Sequence, residues 1–215
     1  MTESVDDRIE WSRELYERAV FAGNSGLLVT AERDLDGVEA DLALARGRIL
    51  HARFLAEGAE DPRELALFER AAQVYRQLGD VRGEAESLFW VGAVHQVIRQ
   101  DDATAAPTFD RARELAVRAD DRLTLSYVLR HLAFAEQATG RMDAARELME
   151  ESTRLRRDLE FLPGVAANLV ALAGFAISAG RRNDAKVLLD EATVIAESSG
   201  ASGVLGWVEE ARAEL

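Results

Sequence analysis

The sequence predicts an all-α solenoid of antiparallel helical hairpins, closed by a capping helix at each end. Three observations point there. Apolar residues recur three and four apart along almost the whole chain, and strand alternation is absent. The chain has 3 prolines and 15 glycines, and the glycines fall mostly where helices could end: Gly58, Gly79, Gly140, Gly180 and Gly200. A pattern returns every 40 residues: Phe109, Met149 and Leu189; Ala105, Ala145 and Ala185; Ala112, Ser152 and Ala192. Phe68 and Ala71 hold the same roles one copy earlier, at an offset of 41.

Each copy carries a large apolar residue, a small one three later, and an apolar one three after that (Val74, Leu115, Leu155, Ile195). That spacing makes one helical stripe, with the small residue where another helix comes close. A second helix precedes each stripe. It holds Leu129, Leu132 and Ala133 in the third unit, and Leu169, Leu172 and Ala173 in the fourth. The second unit has Leu88, Val91 and Gly92; in the first, Leu50 and Phe54 are the nearest, looser equivalents. The segments GRMDAA and GRRNDA supply a helix-ending glycine, then an Asp or Asn before the next helix. One such hairpin cannot bury its stripe alone, whereas stacked hairpins can.

The flanks follow. Residues 5–22 form an amphipathic helix with Ile9, Leu15 and Val20 as candidate core residues, and residues 27–37 stay open. The last segment, GVLGWVEEARAEL, reads as a capping helix that covers the fourth unit with Val204, Trp207, Val208 and Ala211. The expected layout is a single domain. Residues 1–37 are a cap or divergent half-repeat, residues 38–80, 81–121, 122–162 and 163–200 are repeats, and residues 203–215 are the C-terminal cap.

Composition narrows the function. A net charge of −13 repels phosphate backbones, so nucleic acid is not the expected partner. No cysteine is present, which removes disulfides, thiolate metal sites and cysteine nucleophiles. The most apolar run, residues 165–180, falls short of a span of about 20 residues, and the N-terminus lacks a basic-then-apolar signal, so a cytoplasmic protein without membrane attachment is expected. Arginine outnumbers lysine 25 to 1, a bias common in GC-rich bacterial coding.

His51, His95 and His131 lie on separate helices and lack H-x-x-x-H spacing, so no metal is expected. The glycines of GASGVLG lack a preceding strand and a Gly-Lys-Ser/Thr, and read as a hinge. The doublets Asp6-Asp7, Asp101-Asp102 and Asp120-Asp121 fall at helix starts and read as caps rather than acid–base pairs. With no nucleophile elbow, neither catalysis nor a cofactor is expected.

The repeat resembles the tetratricopeptide repeat (TPR) family in its longer bacterial form. Leu129, Leu132-Ala133, Gly140, Ala145, Met149 and Ser152 carry the resemblance, as do Leu169, Leu172-Ala173, Gly180, Ala185, Leu189 and Ala192. In the second unit Gln100 stands where the family has glycine. The likeness covers about residues 38–200. It implies a right-handed solenoid whose first helices line a concave face, and a non-catalytic scaffold that binds a protein or peptide, as in bacterial regulators. Mapped here, that face holds Arg48, Phe89, Trp90, Tyr127, Arg130, His131, Phe134 and Val170. Tyr, Trp and Arg dominate binding hot spots, and an arginine fork on an acidic chain selects a carboxylate. Packing within the core is the competing role for these aromatics. Self-association, as in a homodimer, and small-molecule sensing are the alternative functions.

Overall fold

The computed structural model describes residues 5–215, so the first four residues of the expected N-terminal cap lie outside it. The described residues form ten α-helices and no strand: α1 (Val5–Phe21), α2 (Leu27–Glu57), α3 (Arg63–Leu78), α4 (Val81–Ala93), α5 (Asp102–Arg118), α6 (Arg122–Ala138), α7 (Met142–Asp158), α8 (Leu162–Ser178), α9 (Arg182–Ser198) and α10 (Ser202–Ala213). A π-helical turn, Val94–Ile98, continues α4. The helices divide into two compact units, one ending at Ala119 and one running from Asp120 to Leu215.

In the first unit each helix packs on the next, α1 on α2 through to α4 on α5. Of the apolar residues expected to bury α1, only Leu15 does so. Ile9 and Val20 are about half exposed, because α1 packs chiefly on α2 and turns its Arg8–Ser12–Leu15–Ala19 stripe toward it. Arg8 ion-pairs with Asp41 of α2, which also accepts from the Tyr75 hydroxyl at 2.5 Å. The open segment 27–37 is the start of α2, a helix of 31 residues.

The hairpin contact is a small residue under a large one. A β-carbon on Gly47 would lie 2.5 Å from the Phe68 ring, and one on Gly92 would lie 2.6 Å from the Phe109 ring. Both rings are fully buried, each stabilising the fold by about 2–3 kcal/mol. In the second unit Ala133 shares a core cluster with Met149, and Ala173 with Leu189. Gly47, rather than Leu50 or Phe54, is therefore the first unit's equivalent. From large residue to the next small one the spacing stays at 24 (68 to 92, 109 to 133, 149 to 173). From small to large within a hairpin it runs 21, 17, 16 and 16. The longer loop after α2 accounts for the first value. One residue looped out by the π turn accounts for the second.

In the second unit α6 packs on α7, α7 on α8 and α8 on α9, and α10 lies against both α8 and α9. The apolar circumference of α8 is explained by these three neighbours. Val170 packs beside Val204 and Leu205 of α10, so α10 covers part of the surface α8 would otherwise expose. Trp207, expected to cap, is instead 47% exposed.

The helix ends are chemically defined. The side chains of Asp80, Asp101 and Asp121 each accept the backbone N–H three residues on. At α7 and α9 the cap positions are Arg141 and Arg181, without a side-chain bond, and the aspartates of GRMDAA and GRRNDA fall inside the first turn. Gly79, Gly140, Gly180 and Gly200 turn left-handed after their helices. Gln100, Asp120 and Glu160 adopt the same conformation at φ 51–55° without being glycine.

Candidate functional site

Helix α6 turns Val128, Leu129, Leu132 and Ala133 into the core. The neighbouring stripe, Tyr127, Arg130, His131 and Phe134, is half-buried. The four residues fall within two turns, and Phe134 lies edge-on to both His131 (6.2 Å) and Phe175 of α8 (6.4 Å).

Arg130 leans across to α8. Its Nη1 donates to Asn168 Oδ1 at 2.8 Å and to the Ala167 carbonyl at 3.0 Å. Its guanidinium carbon lies 4.9 Å from the Phe134 ring centre. A second guanidinium meets it at the same amide. Arg156 of α7 is 2% exposed, and its Nη1 donates to Asn168 Oδ1 and to the Gly164 carbonyl, both at 2.9 Å. Arg156 is flanked by the rings of Tyr127 (4.7 Å) and Phe161 (5.6 Å). The Asn168 amide donates to Ser152 Oγ at 2.9 Å, which donates to the Ser126 carbonyl at 2.6 Å.

The charge balance here is unusual. Among the described residues neither Arg130 nor Arg156 has a carboxylate partner, unlike Arg122, Arg141 and Arg157 in the same unit. Arg156 Nη2 is buried without any partner, while Nε and Nη2 of Arg130 make no hydrogen bond and are not sealed. Burial, with the adjacent Arg156 charge, pushes Arg130 down to about 9; burial alone pushes Arg156 down to about 10. A guanidinium stays protonated at neutral pH even so, and the pair places two positive charges in a low-dielectric site without a counter-ion.

The remaining expected site residues lie elsewhere. Val170 is half-buried on α8 beside α10. Arg48 is exposed and ion-paired with Glu86. Phe89 does not face outward: it is 3% exposed, 5.0 Å from the Trp90 ring and 6.2 Å from Phe109, because the small Gly92 draws α5 onto that side of α4. Trp90 is half-buried, stacked on Phe68 at 5.5 Å and edge-on to His51 at 5.2 Å, and its indole N–H has no partner.

Sequence reasoning missed three polar residues. Asn168 and Arg156 form the hub of the second unit, yet sit on faces assigned to packing. Glu64 occupies the position of Ala105, Ala145 and Ala185 in the first hairpin, fully buried with Oε1 2.8 Å from His51 Nδ1. The broken alanine period was the available signal. Desolvation raises the Glu64 carboxyl above its usual value, against the opposing pull of His51.

Among the described residues no three His, Asp or Glu side chains come together as a metal site, and no helix is long and apolar enough to cross a membrane. No family model matches the chain, and no curated protein matches it. Among solved structures it is similar to the crystal structure of BtubC (BKLC) from P. vanneervenii, at 16% identity over 91% of each chain with a TM-score of 0.47.

Proposed function

We propose that the protein is a non-catalytic TPR-like binding module that holds a protein or peptide partner on the α6–α8 face, with a partner carboxylate at Arg130. The observation that carries this reading is the Arg130–Arg156 pair, two cations on one amide oxygen with no acid against them among the described residues. A carboxylate from outside would complete the unused N–H groups of Arg130 with charge-assisted hydrogen bonds and relieve the repulsion. Tyr127, His131 and Phe134 offer ring surface beside it for an apolar neighbour of that carboxylate. The repeated small-under-large hairpin contact supports the solenoid arrangement.

The test is selection from a displayed peptide library followed by calorimetry. Selected ligands carry an acidic side chain or a free C-terminus, and amidation or Asp→Asn replacement weakens them at least about tenfold, the loss of one charge-assisted contact. Arg130→Gln with Phe134→Ala abolishes binding. Arg130 ties α6 to α8, so this variant also loses stability, and binding is compared at a temperature where both proteins are folded. Selected ligands that bind the double variant as tightly as the wild type would refute the reading.

A further inference from the structure

A second surface, outside the Arg130 cluster, carries its own complementary pair. On the first unit, α2 and α3 enclose a groove of about 640 Å³, with Leu50 and Leu67 in its floor and Ile49, 56% exposed, at its edge. Arg46 and Arg53 flank Ile49, both exposed and neither ion-paired among the described residues, although Asp61 lies within the field of Arg53. Leu42, Arg46, Ile49 and Arg53 follow one another at steps of four, three and four, so they form a single stripe along α2. An unpaired basic and apolar stripe is out of place on a chain of net charge −13.

Helix α10 presents the opposite. Gly203, Trp207 and Glu210, with Glu214 just past the helix end, follow the same steps of four, three and four. All four are exposed, and neither glutamate is ion-paired among the described residues; the one base of α10, Arg212, is held by Asp190. The two stripes match when the helices run antiparallel. Trp207 then meets Ile49, Glu210 meets Arg46, the small Gly203 leaves room for the stem of Arg53, and Glu214 falls opposite Leu42 at the end of the contact.

We propose that the α2–α3 groove receives helix α10 of a second copy of this chain. Trp207 is the apolar anchor, and Glu210 faces Arg46, one of the two unpaired arginines. Groove and helix are different surfaces, so the contact is heterologous. Each copy that has used its helix still offers its groove, and assembly continues past a dimer until a ring closes or a filament grows.

Sedimentation velocity on the full chain tests this. The wild type gains mass with concentration. Trp207→Ala and, separately, Arg46→Glu each remain monomeric over the same range, compared at a temperature where every protein is folded. Mixed together, the two variants form a dimer and stop, since one intact groove meets one intact helix. Adding Glu210→Arg to the groove variant restores its self-association. A wild type that stays monomeric at about 0.5 mM, well above the micromolar range of ordinary specific contacts, overturns the inference. So does a Trp207→Ala variant that assembles like the wild type, or a monomeric wild type whose groove captures an unrelated acidic helix.

Discussion

Glu64 shows how much one side chain changes a repeat. Three hairpins place alanine at this contact and the first places a carboxyl, which needs His51 beside it to be buried. A carboxyl whose folded pKa is raised holds its proton to higher pH than the unfolded chain does. Its contribution to stability is therefore full below about 4.5 and is lost as pH rises through the raised value. Glu64→Gln removes that loss, so denaturant midpoints of the variant and wild type measured from pH 4.5 upward diverge, with the wild type falling relative to the variant. Glycines give a second contrast. The β-carbon of Gly92→Ala would press into the Phe109 ring and costs about 1–3 kcal/mol. Gly174 lies mid-helix with nothing within 4 Å of that position, so Gly174→Ala stabilises by about 0.5–1 kcal/mol. Urea melts of the two variants move in opposite directions.

Helix junctions carry the next level of information. Gln100, where glycine was expected, takes the left-handed conformation glycine would have taken, at φ 53°. The junction is set by the packing of α4 and α5, and the side chain bears the strain. Gln100→Gly relieves it and raises stability by about 1 kcal/mol in thermal unfolding. Between helices the sensitive point is Ala145, fully buried in the cluster of Ala133, Met149 and Phe175. Ala145→Leu overpacks that contact and costs about 1–3 kcal/mol, whereas Ala66→Leu, at an exposed site on α3, changes the melting temperature little. The start of α2 was opaque to sequence reading for a related reason. Its residues 27–37 bury only Ala31 and Gly37, so no large apolar period marks them as helix.

For the whole chain, the division at Ala119 falls between the second and third hairpins. The segment from Asp120 to Leu215 has its own clusters, around Leu169 and Leu189 and around Met149 and Phe175. Expressed alone, it should unfold in a single cooperative transition by circular dichroism. A sloping, non-cooperative melt would show that this unit depends on the residues before it.

Sequence alone determined the helical class, the 40-residue period with the large and small residues that carry it, and the aspartate caps at Asp101 and Asp121. All of these follow from local propensity and periodic burial, which neighbouring residues along the chain encode directly. The resemblance to the repeat family also selected Tyr127, Arg130, His131 and Phe134, as the part of its concave face that falls on α6. Tertiary structure decided what that group is. Asn168 joins Arg130 to Arg156 across 38 and 12 residues of sequence. Phe89 turned inward because Gly92 left space for Phe109, and Glu64 became buried because His51 was there to receive it. The spacing of one chain says which side chains share a face. Which distant amide or carboxyl satisfies a buried charge depends on the helix packed opposite, and only the folded chain brings that helix into place.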